Sequence, residues 1–200
     1  MWAYFTNLGD LSVMVPAACL IVVWLLCNRE WSRAGRWIAL FGLGGLLVAS
    51  SKILFIGWGY GSQRLDFTGI SGHTMLASSV LPVVFFLGLS ALAPRTRYCG
   101  LALGLLCGAL IGYSRLMVHV HSLSEVVAGF CVGAVVSLLF AWRIPLRRNS
   151  RFGAVVMAVA FGLVLNWQFG VRAPGQDIMT RIALHLAGHD VPYVRGVWRG

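Results

Sequence analysis

The sequence predicts an all-α protein, an integral membrane bundle of about six transmembrane helices, on three observations. First, 58% of its 200 residues are hydrophobic and only 11% are charged, with a mean hydropathy of +0.81, whereas soluble domains hold roughly 25% charged residues. Second, the apolar residues fall into six runs, 11–27, 37–57, 74–93, 99–114, 122–142 and 152–170, and one helical crossing of the hydrocarbon layer needs roughly 17 to 25 residues. Third, the basic residues are concentrated in alternate connections between these runs.

The first run follows Asp10, with no basic segment before it and no small-residue cleavage site after it, so it is expected to stay as a span rather than be removed as a signal. The connections "NREWSRAGR", "APRTRY" and "RIPLRRNSR" carry three, two and four arginines, nine of the sixteen basic residues, and mark the cytoplasmic side. The second and fourth connections, with "GSQRLDFTGISGH" and "SRLMVHVHSLSE", then face the opposite side together. The fourth run is short for a crossing. Glycines such as those of "GLGG" are placed where helices can approach closely.

Residues 1–170 are therefore read as one transmembrane domain and 171–200 as a polar tail. Within the tail, Ile178, Ile182 and Leu186 recur every fourth residue opposite Arg181 and His185, the pattern of a short interfacial helix. His185 and His189 lack a third metal ligand and read as a solvated helix face. Trp58, Tyr60 and Phe67 read as aromatic anchors at the membrane surface. The five cysteines (Cys19, Cys27, Cys99, Cys107, Cys131) show no CxxC or CxxH spacing and are expected to be small buried apolar residues, not metal ligands or a disulfide framework. The net charge of +10 reflects arginines flanking membrane spans, so no nucleic-acid partner is expected.

Ionisable groups near membrane depth are functional candidates because each costs several kcal/mol unless paired or hydrated. Arg115, His119, His121 and Glu125 lie within eleven residues. If a helix starts near His121, the Glu125 carboxylate stands one turn along the same face, where it can hold one imidazole nitrogen and leave the other as base or nucleophile. His119 is six residues from Glu125 and falls on a different face, so His121 has the better geometry. Earlier, "SGH" provides a hydroxyl at Ser71, an unobstructed backbone N–H at Gly72 and an imidazole at His73, just before a helix expected from Thr74; such a helix start suits an anion. Cations, N–H donors and two histidines describe a phosphate site with covalent catalysis. The outward loops offer only Asp66 and Glu125 as carboxylates, so no magnesium site and no cofactor are expected.

"SRLMVHVHSLSE" resembles the third motif of the type 2 phosphatidic acid phosphatase family, SRxxxxxHxxxD, with Glu125 in place of aspartate. "ISGH" is similar to its second motif, PSGH, with Ile70 in place of proline. The resemblance covers roughly residues 50 to 142. It implies that His121 is the nucleophile that forms a phosphohistidine, that Glu125 orients it, and that His73 is the general acid, with Arg115, Ser71 and the Gly72 amide on the phosphate oxygens. The first family motif, KxxxxxxRP, is incomplete: Lys52 matches its lysine, Gly59 stands seven residues later with no Arg-Pro pair, and Arg64 is the candidate replacement.

These readings together predict a metal-independent phosphatase acting on a membrane lipid phosphate or pyrophosphate, in a bacterial inner membrane with its site on the periplasmic face. A lipid phosphotransferase would use the same residues. A proton-coupled transporter, with the histidines and Glu125 as a relay, would show inverted repeats and broken helices, neither of which the sequence displays.

Overall fold

A computed structural model describes residues 2–90, 96–142, 159–163 and 175–196. Among them are seven helices: α1 (Trp2–Leu8), α2 (Leu11–Cys27), α3 (Trp31–Trp58), α4 (Gly72–Ser90), α5 (Thr96–Met117), α6 (Leu123–Ala141) and α7 (Gly175–Ala187). Residues 159–163 are also helical, and the rest of the predicted 152–170 span lies outside the described residues. The described residues form no strand beyond one isolated bridge, Ser62 to Phe67. Five helices are long and apolar enough to cross a membrane, α3 to α6 and a first one counted from Phe5 to Cys27, which makes this a multi-pass membrane protein. The predicted runs match α2 to α6, while the short α1 went unpredicted. The fourth span is longer than its apolar run suggests, reaching Met117 and so carrying Arg115 in its last turn.

Helix α4 is the centre of the bundle and its most buried span. It is apolar all round, as a helix enclosed by others must be. Two neighbours grip it through glycines. On α5, Gly100, Gly104, Gly108 and Gly112 recur every four residues, and a Cβ added at Gly108 would stand 2.8 Å from the Ser78 Cα, while one at Gly104 would meet the Pro82 backbone. On α6, a Cβ at Gly129 would lie 2.5 Å from the Ser71 carbonyl oxygen. In a bilayer, where lipid is as apolar as leucine, this close backbone approach is a main source of helix association.

The opposite end is fastened separately. Trp37 is buried, donates through Nε1 to the Ala18 carbonyl at 3.1 Å and stacks on Phe41, with Phe140 edge-on. Arg36 donates to the Trp142 carbonyl, joining the start of α3 to the end of α6. With the chain alternating in direction, the end of α3 and the starts of α2, α4 and α6 then share the other surface with the end of α5.

Candidate active site

The fourth connection builds half of the site. α5 ends in a Schellman turn: the Val120 N–H bonds to the Arg115 carbonyl and the His119 N–H to that of Leu116, with His119 at φ +53 in the left-handed position glycine usually takes. This reversal leaves His119 exposed and brings His121 in front of α6. Ser122 caps α6, and Glu125 completes a capping box by accepting from the Ser122 N–H at 3.2 Å. His121 is thus outside the helix rather than on its first turn as the spacing suggested. It meets Glu125 because the box folds that carboxylate back over the helix start, with His121 Nδ1 2.5 Å from Glu125 Oε2.

Glu125 is fully buried, and its ionised carboxylate can only accept. Its Oε1 takes the Thr68 N–H at 2.7 Å and the Thr68 hydroxyl at 2.5 Å, and Arg195 Nη2 reaches both oxygens at 2.9 and 3.0 Å. A carboxylate so surrounded by donors requires the proton of the His121 contact to sit on Nδ1, leaving Nε2 with a lone pair. Burial pushes the His121 ring below its ordinary 6.5; hydrogen bonding and charge from Glu125 oppose this, and Lys52 and Arg115 add to it.

His121 lines a cavity of about 470 Å³ together with His73, Arg115, Lys52, Thr68 and Gly69. His73 stands on the first turn of α4, its Nε2 3.2 Å from Asp10 Oδ2. Arg115 donates through Nη1 to the Thr6 hydroxyl at 3.1 Å. Lys52 lies under Gly69, whose φ of +147 and close approach, a Cβ there standing 2.9 Å from the Lys52 Cγ, leave no room for a side chain. The two connections that the sequence placed on one surface therefore share one cavity.

The tail closes the other side. α7 lies on the end of α3, with Ala183 and Ala187 against Gly57, and its Ile178, Ile182 and Leu186 face outward. His189 Nε2 donates to the Gly57 carbonyl at 2.6 Å, and the Tyr193 N–H donates to Ile56 at 3.0 Å. These contacts set Gln176, which accepts from Lys52 Nζ at 3.3 Å, and Tyr193 to Arg195 along the cavity wall.

Three of the residues expected to hold phosphate do not line this cavity. Arg64 is exposed on its loop and does not line the cavity. Ser71 is fully buried, its hydroxyl 2.9 Å from Thr74 Oγ1 and its N–H given to the Glu125 carbonyl, so it ties α4 to α6. Gly72 is the first residue of α4 and is likewise absent from the cavity wall. Sequence reasoning missed Asp10, Thr68 and Arg195. Asp10 alone left a trace, as a helix-capping residue ahead of an apolar run. Among the described residues, no three His, Cys, Asp or Glu side chains gather where they could hold a metal ion.

Comparison with known proteins adds two findings. The pattern of the PAP2 superfamily matches residues 54–149. A protein of Klebsiella pneumoniae, described as an uncharacterized 22.5 kDa protein in the cps region, is 34% identical over 203 residues, covering 97% of this chain and 95% of that one. No solved structure matches.

Proposed function

This chain belongs to the PAP2 superfamily, a family of phosphatases, and on that premise we propose that it hydrolyses a lipid phosphate or pyrophosphate through a phosphohistidine on His121, without a metal ion, at the periplasmic face of a bacterial inner membrane. One observation carries the reading: His121 is tied by Nδ1 to Glu125 at 2.5 Å and lines the same cavity as His73, Arg115 and Lys52.

Lys52 and Arg115 hold the phosphate oxygens and balance the charge spread over them in the transition state. His121 Nε2 attacks phosphorus as the bond to the leaving oxygen breaks. Its depressed proton affinity keeps it a lone-pair donor at neutral pH. His73 gives a proton to the departing oxygen, then takes one from the water that attacks the phosphohistidine, which frees phosphate and restores both rings. Arginines in the connections on the far side of the bundle support the outward orientation of the site. The apolar surfaces flanking it support a substrate that stays in the bilayer.

The test uses purified wild type and His121→Ala in EDTA, with phosphate release measured from phosphatidate, phosphatidylglycerol phosphate, undecaprenyl pyrophosphate and lipid A. Turnover in EDTA that is lost in the variant is the expected result. Turnover that survives the substitution, or that depends on added metal, rejects the mechanism. Product analysis with an added lipid alcohol separates hydrolysis from transfer.

A further inference from the structure

We propose that the elbow joining α1 to α2 is a working part of the active site, with Asp10 as the positioning residue that orients His73 for proton donation. This rests on the assignment of His73 as general acid made above.

Asp10 caps α2, its Oδ1 accepting from the Ser12 N–H at 2.9 Å. Capping occupies one carboxylate oxygen. The other, Oδ2, reaches His73 Nε2 at 3.2 Å, with side-chain exposures of only 17% for Asp10 and 26% for His73. The elbow has little freedom to withdraw. A Cβ at Gly9 would stand 2.6 Å from the Ile111 side chain and 3.3 Å from the His73 carbonyl oxygen, so the chain is pressed directly against α4 and α5. One turn earlier Thr6 accepts from Arg115 at 3.1 Å, so the same short segment holds two of the groups assigned to phosphate chemistry.

The chemistry of the pair follows from what a general acid needs. Asp10 can only accept, so it fixes a proton on Nε2 and sets the rotation of the ring, which leaves Nδ1 to serve the substrate. It also gives the protonated ring a counter-charge inside a cavity that already holds Lys52 and Arg115. In the reaction, Nδ1–H passes its proton to the leaving oxygen as that oxygen takes the P–O bonding pair. The ring ends neutral, with Nε2–H still on Asp10. The site thus holds two histidine–carboxylate pairs in opposite duties, His121 with its free nitrogen bare and His73 with its free nitrogen protonated.

Leaving-group dependence tests this, since a nitrophenolate departs without a proton and an alkoxide does not. Asp10→Asn and Asp10→Ser both keep a capping side chain for α2. Each is assayed in full-length protein on 4-nitrophenyl phosphate and on dodecyl phosphate, beside His73→Ala. The expected result is a kcat/KM loss of about ten- to hundredfold on dodecyl phosphate with less than about threefold on 4-nitrophenyl phosphate, and the same selectivity, more pronounced, in His73→Ala. The ratio kcat/KM is read because it ends at leaving-group departure and excludes the hydrolysis of the phosphohistidine that both substrates share. If both Asp10 variants lose equally on the two substrates, or lose nothing, while His73→Ala stays selective, Asp10 has no positioning role and the general acid stands. If His73→Ala loses equally on both, the general-acid assignment itself falls, and this inference with it.

Discussion

Arg195 places one guanidinium nitrogen against both carboxylate oxygens of Glu125, at 2.9 and 3.0 Å, across a separation of 70 residues. Its other terminal nitrogen pairs with Asp66. The tail is therefore bound to the carboxylate that holds His121, and removing the guanidinium is expected to disturb Glu125 without unfolding the bundle. Because the Arg195 side chain is 39% exposed, the effect is discounted for solvent screening: Arg195→Ala should lower kcat/KM by about tenfold, roughly 1.4 kcal/mol, with the melting temperature little changed. Deletion of residues 189–200 should do at least as much. Full activity in the deleted protein would remove the tail from the site.

Glu125 has two duties that substitution can separate. Glutamine also completes a capping box, so Glu125→Gln should keep α6 capped while losing about a thousandfold in kcat, since an amide favours the wrong His121 tautomer. It should also lower the melting temperature, because its N–H group faces the donors of Thr68 and Arg195. Aspartate is one methylene short of the Ser122 N–H, so Glu125→Asp should lose about 1 kcal/mol of stability along with activity. Circular dichroism melts beside phosphate release would decide this. Equal activity in wild type and the glutamine variant is the result that contradicts it.

The pH profile follows from His121. Its attacking form is the neutral ring, and its proton affinity lies below the ordinary 6.5, chiefly through burial. The acidic limb of kcat/KM should accordingly fall below pH 6.5, with activity rising as pH increases through that limb and full by neutrality. Lys52 pushes the ring in the same direction as burial. Lys52→Met should therefore move the limb upward, toward 6.5, in addition to weakening phosphate binding. A limb that stays fixed or moves down would mean that the Lys52 charge does not reach His121.

The glycine faces around α4 predict a sharp positional contrast. A Cβ at Gly104 would lie 2.7 Å from the Leu81 carbonyl carbon, backbone that cannot swing aside. Gly104→Ala is expected to cost about 1–3 kcal/mol or to prevent folding. A Cβ at Gly45 meets nothing within 4 Å, and there alanine should be neutral or stabilise α3 by up to about 1 kcal/mol. Melts in detergent would test both, and a Gly104→Ala protein as stable as wild type would disprove the close approach.

What the sequence revealed depended on distance along the chain. Arg115, His121 and Glu125 were legible because eleven residues hold all three, and a helix end, a reversal and a helix start bring them together by local hydrogen bonds. His73 and Lys52 were legible as polar groups at the ends of apolar runs. Asp10 and Arg195 were not, since their meeting with His73 and Glu125 depends on how α2 and the tail pack, which no local periodicity records. Ser71 was read as a phosphate ligand from its neighbours in sequence, yet its hydroxyl is turned to Thr74 inside the bundle. The replacement for the missing first-motif arginine was sought nearby, at Arg64. The guanidinium that contacts the Glu125 carboxylate is that of Arg195. α1 has seven residues, too few for periodicity to reveal it.

The capping box of α6 ties reactivity to the maturity of the protein. Until Leu123 and its successors wind into a helix, Ser122 has no reason to draw the Glu125 carboxylate back, and His121 has no fixed partner. On the proposed mechanism a chain still entering the bilayer is thus chemically mute, and turnover waits until α5 and α6 have both been laid down.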